Sequence, residues 1–443
     1  MKTPLLLSLS VVVALSAHAM GPMNAPPPPP DPLDLKGAIV YALDHNYVIL
    51  QAREQIKQQE GVIVQVQAAG IPNVGAIGSY QRNDPNISQT LPQENSQTLA
   101  ELKATQTLFA GGGIHASVKN AKLVRDAALY DLQTAIDAAL LDVRNRFYTV
   151  LLAREKVRVQ EQNIGLFQSQ LKDSQNQFHA GSTSNFEVLR ARVSLANSQP
   201  DLITARNDYR VAIEQLRQSL GVPSTPGLGA PAFPQVQGSL DYAPENYDLE
   251  AALASAHLHR PELLRLDKLS QAGEQVVVNA RSTYYPNVGL FGGYEWGRIG
   301  LAQGGSFSGS GWLVGVQSSW SIFDGRATAG KVTQAKSQLR QARLTQSQED
   351  LAIDIEVRQA FSTWDEAKEL VSASGQTVEQ AQEALRLANA RFKAGSATQL
   401  DVLTSQVALT QARTNQVQAN FNYLVAVASI RKAMGLGDAL VAQ

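Results

Sequence analysis

The stretch Gln177-Phe178-His179-Ala180-Gly181-Ser182-Thr183-Ser184-Asn185-Phe186-Glu187-Val188-Leu189 is written a second time. It returns as Arg391-Phe392-Lys393-Ala394-Gly395-Ser396-Ala397-Thr398-Gln399-Leu400-Asp401-Val402-Leu403. The separation is 392 − 178 = 214 residues. The same offset carries Ile71-Pro72-Asn73-Val74-Gly75 onto Tyr285-Pro286-Asn287-Val288-Gly289. It also pairs Asp34-Leu35 with Asp248-Leu249, Phe109 with Phe323, Tyr209 with Tyr423 and Gly221 with Gly435. One spacing held from end to end implies two equivalent halves, 34–221 and 248–435. A Pro/Gly-rich connector, 222–247, joins them, and 436–443 form a tail.

Each half reads helix, two strands, long helix, turn, helix. No Pro interrupts 113–179, where Ile136, Val143, Val150, Val157, Ile164, Leu171 and Phe178 recur every seven residues. Over 327–392 the residues Val357, Trp364, Val371, Val378, Leu385 and Phe392 keep that register. A strict seven-residue repeat is coiled-coil packing. Four residues on, the partner position begins apolar (Leu140, Phe147) and turns polar (Arg154, Glu161, Gln168, Gln175). Only a narrow seam is dry, which suits a thin-walled helical tube. At ~1.5 Å per residue these helices reach ~100 Å. Two shorter helices, 34–69 and 184–220, placed end to end match one long helix. The second half ends likewise, with a helix over 398–434.

Strands are expected at 73–83, 98–108, 287–298 and 312–322, each the length of a membrane β-strand. Tyr80, Tyr294, Trp296, Trp312 and Trp320 fall near the ends of an apolar face, as interfacial girdles do. The linking loops, 84–96 and 299–311, are polar or Gly/Ser-rich. A soluble sandwich is the alternative, but two distant hairpins offer it no other β-structure. Four strands cannot close a barrel, and lipid does not tolerate open edges. Eight strands from two copies give a filled barrel; twelve from three copies leave a lumen. A homotrimer is therefore expected.

Composition narrows the function. Lys+Arg 38 against Asp+Glu 39 leaves a net charge of −1, with no long-range pull toward nucleic acid. Cys is absent, so disulfides, thiolate metal sites and thiol nucleophiles are excluded. The His residues show no metal-ligand spacing, and Gly111-Gly112-Gly113 lacks the G-K-[ST] of a P-loop. No catalytic set, metal or cofactor is expected. After residue 19 no apolar run reaches the ~20 residues of a spanning helix. Before it, Lys2, the apolar Leu5–Leu15 and Ala17-His18-Ala19 read as an export signal, 1–19. The Pro-rich arm 20–33 follows, with Pro26–Pro30 extended.

Together, the duplication, the strand pairs and the two turn motifs resemble the TolC-type outer membrane efflux proteins, or outer membrane factors. That resemblance implies a mixed α/β fold: a trimeric 12-stranded outer-membrane β-barrel continued by a periplasmic α-helical coiled-coil barrel. It implies the exit duct of a tripartite efflux pump or type I secretion system, passing small molecules or polypeptides. The implied partners are a periplasmic adaptor (membrane fusion) protein, an inner membrane transporter of RND, ABC or MFS type, and outer membrane lipids. Some relatives are anchored through an N-terminal lipidated Cys; this chain, without Cys, is expected unlipidated. A passive outer membrane channel and a soluble coiled-coil scaffold are the competing readings.

The tips carry the expected site. Gly181 and Gly395 fit helix ends that need positive φ, and Ser182, Thr183, Ser184, Ser396 and Thr398 are N-cap candidates. By resemblance, Ala180, Gly181, Ser182, Thr183, Ala394, Gly395 and Ser396 form the adaptor-docking surface. Asp401 falls where carboxylates line the constriction of relatives, and Thr404 where some carry a second acidic ring. Phe392 and Ala397 replace a Tyr and an Arg that latch the closed entrance onto the position of Glu187. Arg190, one turn on, is a substitute cation for Glu187. Repulsion within an Asp401 ring is expected to raise a carboxyl pKa. For Glu187 and Asp401, a purely local role at the positive end of a helix competes with the gate.

Overall fold

A computed structural model describes residues 27–84, 94–223 and 233–441. The expected export signal 1–19 and the start of the arm lie outside them. The chain runs α1 (Leu35–His45), α2 (Tyr47–Gln67), β1 (Asn73–Arg82), β2 (Glu94–Ala110), α3 (Gly113–His179) and α4 (Asn185–Leu220). The second half repeats this as α5 (Leu249–His259), α6 (Pro261–Ser282), β3 (Asn287–Leu301), β4 (Ser306–Ser319), α7 (Ala327–Lys393) and α8 (Gln399–Ala433).

The expected single helix over 34–69 is two helices. Asp34 caps α1 through Gly37 N at 2.8 Å. Asn46 then breaks the run: its Oδ1 accepts from Val48 N at 2.8 Å, and its Nδ2 donates to Ser219 O at 2.6 Å. The equivalent break is at Arg260, followed by Pro261 at the first position of α6. Each long helix has 67 residues. Val143 and Val150 on α3, and Val357, Trp364, Val378 and Leu385 on α7, are buried along the seven-residue seam. Around α3 the dry region is wider than the narrow seam expected. Phe147, Leu140 and Leu151 join Leu33, Ile39, Leu216 and Val236 in one core.

The arm and the tail are docked rather than free. Leu33, fully buried, forms a parallel bridge to Val236 in the connector. Arg154 holds the connector carbonyl of Gly238 at 2.6 Å, and the Tyr423 hydroxyl donates to Ala243 O at 3.0 Å. Asp438, in the tail, takes Arg144 at 2.6 Å with little exposure of either. The connector thus straps across the middle of the helical wall.

The sheet is β1-β2-β3-β4, antiparallel throughout. Its register carries the duplication: adding 214 to each member of Asn73–Thr105 and Tyr80–Thr98 gives the observed Asn287–Ser319 and Tyr294–Trp312. Along the helices α3 lies between α2 and α6 at one end and between α4 and α8 at the other. Both α6 and α8 then contact α7. The chain is a slab one layer thick. One edge is β1, α2 and α4; the other is β4 and α7.

Three strand assignments change: the strand expected at 98–108 runs Glu94–Ala110, that expected at 287–298 runs Asn287–Leu301, and the fourth shifts. The strand expected at 312–322 lies at Ser306–Ser319, so Trp320 falls just beyond it. The expected loop 299–311 contracts to a tight turn at 302–305, where Gly304 and Gly305 take φ of 91° and 97°. Gly and Ser at 306–311 are weak strand formers, but ladder pairing with β3 fixes them. Of the loop expected at 84–96, residues 85–93 lie outside the described residues.

Candidate functional site: the strand wall and the helix tips

Alternation along a strand sends directly opposed residues to the same side. Val74, Ala76 and Tyr80 of β1 therefore share a face with Leu102 and Ala104 of β2. Leu290, Tyr294 and Trp296 of β3 and Trp312, Val314 and Val316 of β4 continue it. The opposite face carries Ile77, Glu101, Lys103, Phe291, Glu295 and Gln317. There Lys103 lies 3.4 Å from Glu101 and over the Phe291 ring. One face is apolar and exposed, with Val314 and Val316 each about two-thirds open. The other is mixed and charged. Trp320, just beyond the strand and eight residues from Trp312, is anchored by its Nε1 on Tyr284 O at 3.1 Å.

Both long helices reverse at the far end by the same hydrogen bonds. Gly181 has φ 71° and Gly395 φ 74°. Ser182 N donates to Gln177 O at 2.9 Å and Gly181 N to Phe178 O at 2.9 Å. Ser396 N and Gly395 N repeat this onto Arg391 O and Phe392 O. This is the Schellman closure, which ties off orphan carbonyls. Ala180, Gly181, Ser182, Ala394, Gly395 and Ser396 are exposed, and Thr183 and Ala397 half-buried. Phe392 packs against the small core of Leu385, Val402 and Leu409, whereas Phe178 is 42% exposed.

The return helices start differently. Ser184 occupies the N-cap of α4 without a side-chain bond. Thr398 caps α8 in a reciprocal box with Asp401, whose Oδ2 accepts from Thr398 N at 2.8 Å and Thr398 Oγ1 at 2.9 Å. These bonds, backbone first, hold the Asp401 carboxyl below its usual range. Within one chain the shift runs opposite to that expected from ring repulsion. Asp401 and Thr404 are both exposed on α8.

Glu187 is engaged from two sides. Arg190 reaches its carboxylate at 3.2 Å, while the guanidinium stacks over the Phe186 ring. Gln399, almost fully buried, lies against it. With its amide nitrogen turned to Glu187, Gln399 donates to that carboxylate and accepts from Ser174 Oγ at 3.0 Å. One side chain of α8 thereby ties the starts of α4 and α8 to α3. Sequence reasoning missed it. A Gln just after an N-cap ordinarily faces solvent, and only the α3 contact buries it. Farther along, Thr410 Oγ1 donates to Asn163 Oδ1 at 2.9 Å. Between these rungs Gln170 and Gln406 are buried too. No metal-binding cluster occurs among the described residues.

The family model for outer membrane efflux proteins matches residues 38–222 and 252–436. The two matches are themselves 214 residues apart and cover most of the chain. The chain belongs to the outer membrane efflux protein family. Among curated relatives, outer membrane efflux protein BepC of Brucella suis biovar 1 is 26% identical over 412 residues, covering 90% of this chain and 85% of BepC. Cobalt-zinc-cadmium resistance protein CzcC of Cupriavidus metallidurans is 25% identical over 388 residues, covering 86% of this chain and 85% of CzcC. Among solved structures, CusC superposes with a TM-score of 0.77 at 17% identity, over 94% of this chain and 99% of that one. The fold expected from the sequence, a β-sheet continued by long helices in two repeats, is the fold observed. The outer membrane efflux reading is likewise that of the family.

Proposed function

We propose that three copies of this outer membrane efflux protein close edge to edge into a duct. Twelve strands would cross the outer membrane, and the helices would extend as a tube through the periplasm. One observation carries this reading: the slab ends on two unlike open edges, β1 with α2 and α4, and β4 with α7. Lipid forbids an unpaired strand edge, and unlike edges join head to tail into a ring. The apolar strand face then meets lipid and the charged face lines the lumen. Tyr80, Tyr294, Trp296, Trp312 and Trp320 serve as girdle residues.

The tips form the periplasmic entrance and dock a periplasmic adaptor, which links the duct to an inner membrane transporter. Three copies of Asp401 converge there and favour cations, with Thr404 supplying no second charge. The Tyr and Arg latch is absent at Phe392 and Ala397. Glu187 is held instead by Arg190 and Gln399. Planar-bilayer recording of purified protein and of Asp401→Asn tests the reading. A stable pore is expected, with cation preference reduced in the variant. No pore from the intact protein rejects the duct; an unchanged preference leaves Asp401 as a cap only.

A further inference from the structure

We propose that His257 is a proton-operated clasp that pins the end of α5 to α7. Its ring sits between two carboxylates one turn apart on α7. Nδ1 donates to Asp350 Oδ1 at 3.0 Å, and Nε2 donates to Asp354 Oδ1 at 2.9 Å. An ionised carboxylate only accepts, so both ring nitrogens must carry a proton. The geometry therefore belongs to the imidazolium. His257 also stands in the last turn of α5, where the negative end of the helix dipole favours a cation. A neutral ring keeps one N–H and can hold only one of the two acids.

The duplication shows what this contact replaces. Subtracting 214 turns His257, Asp350 and Asp354 into Leu43, Ile136 and Leu140. In the first half those three belong to the main core or pack against it, and α1 adds Ala38, Ile39, Tyr41 and Ala42. The second half has far less to hold α5. It gives Ala252, Leu253 and Ala256 to a small cluster with Ile353 and Val357. The same junction is thus apolar and permanent in one half, ionic and conditional in the other. Beside it, Arg260 at the α5–α6 joint reaches Glu356 of α7 at 2.7 Å, where the first half has Asn46 and Asp142. A guanidinium keeps its charge, so that pair is fixed. Imidazole is the side chain that changes charge near neutral pH.

The other charged groups nearby are committed elsewhere. His259, two residues on, turns back to Ser255 O at 3.0 Å. Arg260 pairs with Glu262 and Glu356, and Lys432 of α8 also goes to Glu356. Glu250 lies two turns away, at the start of α5. From α8 the end of α5 is met by a carbonyl, Met434 O, which accepts from Ser255 Oγ at 2.9 Å. The ring itself is 40% exposed, so it exchanges protons with solvent. The clasp is made by the protonated ring. Its contribution is therefore present on the acid side and is lost as pH rises. One bond to α7 then breaks and the α5–α6 joint loosens, while the apolar α1–α2 joint stays as it is.

Hydrogen exchange of the intact detergent-solubilised protein tests this at pH ~5.5 and ~8, which bracket the imidazole range. Rates are corrected for intrinsic chemistry, and α1 is the internal reference. The expected result is a roughly two- to fivefold loss of protection at the end of α5 at the higher pH, the scale of one exposed ion pair, with α1 unchanged. In His257→Gln that pH response should vanish. A triple variant, His257→Leu with Asp350→Ile and Asp354→Leu, writes the first-half residues into the second half. It removes the two acids that His257→Gln leaves without a counter-charge, and its α5 should stay protected at both pH values. Equal responses of α5 and α1 in the unaltered protein overturn the clasp. So does a pH response of α5 that survives in either variant.

Discussion

Two glycines at helix ends separate conformational strain from collision. Gly181 needs φ 71°, yet a Cβ there meets nothing within 4 Å. Gly221 has φ 75°, and a Cβ would lie 2.3 Å from His45 O at the α1–α2 break. Gly181→Ala should therefore cost only the left-handed strain, ~1–2 kcal/mol. Gly221→Ala should cost more and lower the thermal midpoint further, as melts in detergent would show. Arg326 is the repeat mate of Gly112 and carries φ 74° without being Gly. Arg326→Gly should stabilise by up to ~1 kcal/mol in the same melts. Asp401 gives a pH dependence. Its folded pKa is depressed, so the capping box stabilises the tip above the unfolded carboxylate range. That contribution is lost as pH falls through the folded value. Hydrogen exchange of the first turn of α8, corrected for intrinsic rates, should accelerate in acid in the native protein but not in Asp401→Asn. The turn glycines and Asp401 were legible because their roles are local. Gln399 was not, because its burial depends on a helix 225 residues away.

Among the elements, the long helices and the duplicated hairpins were visible as period seven and as repeated motifs. Their ends were less so. The Asn46 break is a single residue between two runs of good helix formers, and Ser219 O, which Asn46 reaches, is distant in sequence. The first half of β4 is Gly and Ser, whose strand state comes from pairing rather than propensity. The tail is tied to the wall by Asp438, which pairs with Arg144. That pair is about nine-tenths covered on the acid side. Removing one member leaves a charge with little solvent, a loss of ~3–5 kcal/mol. Asp438→Ala should therefore lower the melting temperature well below that of an exposed-pair control such as Glu54→Ala. A double change of Arg144→Met with Asp438→Leu should recover part of the loss.

At the scale of the molecule, the open edges decide the assembly. The sheet stops at β1 and β4, the wall at α4 and α7, and apolar side chains remain open along both sides. The long-range pattern was readable from the repeat, since a unit written twice in one chain can be continued by further copies with the same geometry. The number of copies follows from the lumen a twelve-stranded barrel leaves and an eight-stranded one fills. The most direct test is the mass of the particle extracted from the outer membrane fraction, measured in detergent with the detergent contribution subtracted. The expected result is three chains per particle and loss of solubility when detergent is removed. A single chain per particle, or one that stays dispersed in water without detergent, would contradict it.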